Sequence, residues 1–246
     1  MRTLGASHAG RVRPNNQDAF VCGMLTEKTA FAVVCDGMGG ASGGNVASSI
    51  AVRVIADCLI DGYRESATTE ELKELLQDAV SKANTEVFET AMETTELRGM
   101  GTTTVAAIAN EKQVCITHVG DSRAYIIAGH SIEQITRDHS VVQDMVEQGK
   151  ISQEQARYHP QKHFLTRAIG VESEVTGEFT TCQLPEGGVL LLCTDGLTNM
   201  VETDMLQSLV RTFPLDEIPN KLINTANLAG GSDNITVACI AGNERI

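Results

Sequence analysis

Phe31-Ala32-Val33-Val34-Cys35-Asp36-Gly37 and Val189-Leu190-Leu191-Leu192-Cys193-Thr194-Asp195-Gly196 share one pattern, an apolar run that climbs to an aspartate and stops on a glycine. A third aspartate opens a run in Ser232-Asp233-Asn234-Ile235-Thr236. Short apolar runs bounded by turn residues read as buried strands. The carboxylates that end two of these strands and begin the third are therefore expected at one rim. Three anions held side by side need a cation.

Outward from these runs, strands are predicted over Ala19-Leu25, Ala30-Cys35, Thr102-Asn110, Gln113-Val119, Arg123-Ala128, Ile132-Thr136, Gly177-Gln183, Val189-Thr194 and Ile235-Ala241. Turns as short as Asn110-Glu111-Lys112 and Gly129-His130 join some of them, which implies antiparallel hairpins. Helices fall in two separate blocks. Asn45 is placed to cap Val46-Ile60, and Thr68-x-x-Glu71 forms a capping box before Leu72, Leu75, Leu76, Ala79, Ala83 and Val87 at helical spacing. Later helices are expected near Val141-Gln148, Ser152-Arg157, Glu202-Thr212 and Asp216-Ala229. Strands and helices grouped in this way define an α+β class: a central β-sandwich of two antiparallel sheets flanked by α-helices on both sides.

The 246 residues contain no linker, low-complexity tract or fixed-period repeat, so residues 1-246 are read as one domain. With 19 basic and 32 acidic side chains the formal charge is -13, which argues against nucleic-acid or anionic-membrane partners. The N-terminal Met1-Arg2-Thr3-Leu4-Gly5 has no signal core, and no stretch of about 18 apolar residues is apparent, so a cytoplasmic monomer is expected. The seven cysteines form no C-x-x-C pair, and Cys35, Cys115, Cys193 and Cys239, within strand-like apolar runs, read as buried free thiols. Cys58 and Arg64 have the spacing of cysteine-based phosphatases. Cys58, however, ends a helical pattern instead of opening a phosphate-cradling loop, so it is not read as a nucleophile.

The glycine-rich Asp36-Gly37-Met38-Gly39-Gly40-Ala41-Ser42-Gly43-Gly44 segment fails the dinucleotide fingerprint, because Ser42 stands where the last glycine is required. Glycine beside Asp36 instead lets a backbone carbonyl such as that of Gly37 join the carboxylate as a hard oxygen ligand. Oxygen-only ligation suits magnesium or manganese. Alone, an Asp-Gly is a turn. Here Gly120-Asp121-Ser122-Arg123 adds a fourth aspartate at a strand end, and Arg13-Pro14-Asn15-Asn16-Gln17-Asp18 a fifth, five residues after an arginine. Arg13 offers the planar fork that grips phosphate oxygens through two hydrogen bonds.

Seven motifs in order resemble the bacterial branch of the PPM, or type 2C, metal-dependent serine/threonine protein phosphatases. They are Val12-Arg13-x-x-Asn16-Gln17-Asp18, Asp36-Gly37-Met38-Gly39-Gly40, Gly101-Thr102-Thr103, Gly120-Asp121-Ser122-Arg123, Asp138-His139-Ser140, Thr194-Asp195-Gly196-Leu197 and Asp233-Asn234-Ile235-Thr236. The resemblance implies two divalent ions, Mn2+ or Mg2+, with Asp36 bridging them and positioning the attacking water between them. Gly37 would give its carbonyl, Asp195 and Asp233 would complete the ligand set, and Asp18 would hold metal-bound water. Asp121 would bind a third ion, with Asp138 and Asn234 in support. Arg13 would bind the phosphate. The segment 138-167 resembles the family's variable flap. The implied partners are phosphoserine and phosphothreonine proteins and a cognate cytoplasmic serine/threonine kinase.

One departure concerns the proton for the leaving alkoxide. Ala41 stands where many relatives carry a histidine, and Asn45 where they often have glutamate, which leaves the general acid unassigned. His118, His130, His139, His159 and His163 are distant in sequence, and metal-bound water is the substitute expected. Two other classes stay open: a catalytically weakened pseudophosphatase that binds phosphoprotein, and a phosphatase of another metal class or for small molecules. Against the latter, Ala124 stands where the calcineurin type needs an aspartate, and no D-x-D pair of the haloacid-dehalogenase type occurs.

Overall fold

Alternation along the apolar runs decides the layering. In Ala30–Met38, Phe31, Val33 and Cys35 turn to one side and Ala30, Ala32 and Val34 to the other, yet every one of them is buried. A strand apolar on both faces belongs between two layers. The structure, a computed structural model, describes residues 1–111 and 113–242, with residues 41 and 42 by backbone alone. The Ala41 side chain and Lys112 of the predicted turn lie outside the described residues.

The elements run β1 (Arg2–His8), β2 (Asp18–Met24), β3 (Ala30–Met38), α1 (Gly40–Gly62), α2 (Thr69–Glu93), β4 (Gly101–Thr102), β5 (Thr104–Ala109), β6 (Val114–Val119), β7 (Arg123–Ala128), β8 (Ser131–Gln134), α3 (Val141–Glu147), α4 (Gln153–Tyr158), β9 (Glu178–Cys182), β10 (Val189–Cys193), α5 (Asp195–Thr198), α6 (Thr203–Thr212), α7 (Ile218–Leu228) and β11 (Ile235–Ala241). Among the described residues one sheet has the order β1-β11-β10-β7-β8 and the other β2-β3-β5-β6-β9, with β4 extending beside β3, and every pairing is antiparallel. Ala32, Val34, Val105 and Ile116 of one sheet meet Ile126, Leu190, Leu192 and Ile240 of the other. Outside, α1 and α2 cover Phe31, Val33 and Ile108, while α6 and α7 cover Leu191, Val237 and Cys239. Each large aliphatic side chain buried in these layers contributes ~1.5–3 kcal/mol.

The predicted α+β sandwich is thus the observed one, with four local corrections. Helix α1 starts at Gly40 and not after Asn45; Gly39 (φ 121°) occupies the cap position and offers no side-chain hydrogen bond. Gly39 and Gly40 take positive φ, so the chain swings from β3 directly into the helix. The predicted strand Thr102-Asn110 is broken at Thr103, whose amide turns to the Asp36 carbonyl at 2.9 Å. Strand β1 had no apolar run to announce it, because it is a half-buried edge strand held by pairing with β11. Finally, Gly43–Gly62 is long and apolar enough to pass for a membrane span by length and composition. In this molecule Ala47, Ala51, Ile55 and Leu59 make it a core helix.

Candidate metal and phosphate site

Both sheets deliver carboxylates to one rim. In the first, Asp36 near the end of β3 is the cross-strand partner of Asp18 at the start of β2. Cross-strand partners share a face at close range, and like charges so opposed are destabilising. In the second, antiparallel pairing of β10 with β11 puts Asp195 just past one strand and Asp233 just before the other. Thr194 ties the two sheets, accepting from the Thr236 amide at 3.0 Å and donating to Asp18 Oδ2 at 2.9 Å. Asp121 follows Gly120, which adopts φ 101°, in the turn between β6 and β7. That turn is pinned by His139, whose amide donates to the Gly120 carbonyl (2.9 Å) and whose Nδ1 accepts from the Gly120 amide (3.2 Å).

Thr103 and the glycines fix the backbone around Asp36. The Asp36 amide donates to Thr103 Oγ1 (3.0 Å), and Thr102 Oγ1 donates to the Asp36 carbonyl (2.8 Å). A Cβ on Gly37 would stand 2.0 Å from the Gly44 carbonyl oxygen and 2.5 Å from that of Gln17, so only glycine permits this approach of strand, loop and helix. A Cβ on Gly196 would likewise meet the Asn234 carbonyl oxygen at 1.9 Å.

Arg13, Asp36, Gly37, Asp121, Asp195 and Asp233 line one cleft of about 470 Å³. Arg13 Nη2 donates to Asp233 Oδ2 at 2.9 Å, and Asp36 and Asp195 also act on its charge. Buried Asn234 orders the loop that carries it: its Nδ2 donates to the Ala9 and Asn15 carbonyls, each at 2.9 Å, and its Oδ1 accepts from the Gln17 amide at 2.8 Å. Asp138 stands apart from this cleft. Both its oxygens accept from the Arg123 guanidinium, at 2.6 to 3.1 Å, so it holds Arg123 beside Asp121.

Electrostatics test whether divalent cations fit here. Loss of hydration, with Thr236 and Thr194 opposing and Asp195 and Asp233 reinforcing it, lifts the Asp18 carboxyl from 3.8 to about 7. Asp36 is pushed well up by loss of hydration and then by Asp18, Asp195, Asp121 and Asp233. Asp121 and Asp195 are raised too, first by burial and then by neighbouring carboxylates. Asp18 Oδ1 is buried and finds no donor among the described residues. A set of oxygen donors that cannot all be anionic in its own company, with one orphaned oxygen among them, fits hard divalent cations.

His163 is distant in sequence from every aspartate of the site. It enters the same cleft from the segment after α4, with Nδ1 4.0 Å from Asp195 Oδ2. No spacing signalled it, because its proximity comes from the return of residues 159–166 across the rim, where Thr166 donates to the His139 carbonyl at 2.9 Å. The Cys58 thiol lies inside α1 and is raised by burial, and Arg64 donates to the Asp61 and Tyr63 carbonyls, so this pair forms no phosphate cradle.

Fold and site together present, on a two-sheet sandwich, a cluster of carboxylates suited to divalent cations. The model of the protein phosphatase 2C family matches residues 4–224, and the chain belongs to that family of protein phosphatases. The serine/threonine phosphatase stp of Listeria monocytogenes serotype 4b (strain F2365) is 40% identical over 235 residues, covering 94% of this chain and 92% of that protein. Among solved structures, Stp1 from Staphylococcus aureus superposes with a TM-score of 0.90 at 32% identity, covering 98% and 94% of the two chains. The catalytic domain of the serine threonine protein phosphatase PstP, solved with 2 manganese ions, gives 0.83 at 30% identity, covering 97% and 96%.

Proposed function

We propose that this chain is a cytoplasmic serine/threonine protein phosphatase, one catalytic domain with a flap at 138–167, which removes phosphate from phosphoserine and phosphothreonine in opposition to a cognate kinase. The observation that carries the reading is the convergence of Asp36, Asp121, Asp195 and Asp233 with Arg13 at one cleft, with Asp18, its carboxyl buried, behind it as the cross-strand partner of Asp36. Asp36, the Gly37 carbonyl, Asp195 and Asp233 would hold two divalent ions, Mn2+ or Mg2+. Asp18 would act through water, and Asp121 would serve a third site. When bound, such ions supply Lewis acidity and activate water for in-line displacement at phosphorus.

The chain's own residues do the rest. Arg13 is exposed enough to exchange its Asp233 contact for phosphate oxygens, where a guanidinium fork offsets charge on the transferring group. Asn234 holds the Arg13 loop, so the fork is oriented before substrate arrives. Thr102 and Thr103 fix both backbone polar groups of Asp36, which keeps its carboxylate aimed into the cleft.

The test is phosphate release from a phosphothreonine peptide with and without Mn2+, by wild type and Asp195→Ala. Release should require metal and fall by at least ~100-fold in the variant, the scale at which loss of an essential electrostatic group acts. Activity that survives Asp195→Ala overturns the site. Absence of release at any metal concentration favours the phosphoprotein-binding alternative.

A further inference from the structure

A second cavity of about 510 Å³ adjoins the cleft, and Met38, His163 and Leu165 line both. Its character differs. Met38, Phe164, Leu165, Val171 and Val175 give it an apolar wall, in which Phe164 and Val171 are 56% and 50% exposed. The wall is preformed. Asn84, buried in α2, donates to the Glu172 and Ser173 carbonyls (3.0 and 3.2 Å) and accepts from the Gly170 amide (2.8 Å). On the other side the Val141 amide donates to the Phe164 carbonyl at 2.9 Å. Glu172 and Glu174 supply exposed carboxylates to the lining.

We propose that this groove is the docking site for the polypeptide flanking the phosphorylated residue, and that it selects an apolar side chain close to the phosphoresidue with a basic residue beyond it. The inference rests on the phosphatase reading above and deepens it. Continuity with the cleft assigns the occupant. A chain whose phosphate sits against Arg13 and the aspartates runs over Met38 and Leu165 into the groove, placing a neighbouring side chain on Phe164 and Val171. Charge assigns the second preference. Glu172 and Glu174 outweigh the exposed Arg167 of the same lining, and on a protein of formal charge -13 that balance favours a basic flank over an acidic one.

The test uses three phosphothreonine peptides of equal length: one with flanking leucine and arginine, one with leucine replaced by serine, and one with arginine replaced by glutamate. Turnover with Mn2+ is measured beside that of p-nitrophenyl phosphate, and peptide binding by fluorescence anisotropy, for wild type, Phe164→Ser and Val171→Asp. The wild type should favour the first peptide over the second by ~10-fold in kcat/KM, as one apolar contact in a pocket provides. Val171→Asp should abolish that preference while p-nitrophenyl phosphate turnover stays unchanged. Equal turnover and binding of all three peptides by the wild type overturns the groove. So does a preference that survives both substitutions. If no phosphate is released from anything, the phosphatase reading fails, and anisotropy still decides the groove.

Discussion

Gly37 shows how much of the site depends on single atoms. Its missing Cβ leaves room for the Gly44 and Gln17 carbonyls, so the first turn of α1 sits directly behind Asp36. Gly37→Ala should lower stability by at least ~1–3 kcal/mol, the usual cost of overpacking, and should weaken the rise in melting temperature on adding Mn2+. Thermal melts with and without metal check both effects. Ala41 raises a different question, that of the proton. Without a histidine there, poor leaving groups should suffer most, so aryl phosphates should be strongly preferred over phosphothreonine peptides. Ala41→His should raise peptide turnover by ~10-fold or more and leave p-nitrophenyl phosphate nearly unchanged. An unchanged peptide rate would mean that the proton already comes from another group, and His163 is the histidine on that cleft among the described residues.

At the scale of elements, the Arg13 loop and the turn before β11 behave as one unit joined by Asn234. Asn234→Ala removes three hydrogen bonds and leaves the Ala9 and Asn15 carbonyls and the Gln17 amide without that partner. The loss should be ~2–4 kcal/mol. At ~2–4 °C per kcal/mol in a domain of this size, calorimetry should read a clear fall in melting temperature. The loop also aims Arg13, so kcat/KM for phosphorylated substrates should drop further than the loss of folded protein explains. Equal kcat/KM per folded molecule would restrict Asn234 to stability. The same scale explains the helix α2 boundary, where Thr68 and Glu71 form the capping box that their spacing announced. The Asn45 cap failed because close backbone packing of Gly37 against Gly44 draws the helix back to Gly40, well over a turn before Val46.

Across the whole molecule, the carboxylate cluster sets how stability responds to pH and metal. Asp18 is lifted in the folded chain from 3.8 to about 7, so between about pH 4 and pH 7 the folded state holds more protons than the unfolded state. Stability of the metal-free protein must then fall as pH rises through that window, the reverse of a carboxylate held low by a cationic partner. Asp36, Asp121 and Asp195 are shifted in the same direction and reinforce the trend. Metal-free protein should therefore melt at higher temperature at pH 5.5 than at pH 7.5. Mn2+ should raise the melting temperature more at pH 7.5, because cations and protons compete for the same oxygens. Equal responses to Mn2+ at both values would show that the aspartates are not the binding groups.

The residues by themselves determined the two-sided burial of the strands, the antiparallel hairpins, the outer helices and the aspartates at strand ends. Each is a local consequence of apolar runs, short turns and helical spacing. What no run revealed was that Asp36 belongs to one sheet and Asp195 and Asp233 to the other. Only face-to-face packing of the sheets closes the cluster, with Thr194 reaching across to Asp18. Edge strand β1, the break at Thr103, the four-residue helix α5 and the entry of His163 were equally silent. All four depend on partners distant in the chain, and a residue's pairing across a sheet or over a rim leaves no periodic trace in its own segment. The tertiary structure turned three separate Asp motifs into one cleft, because packing sets which side chains meet across the rim.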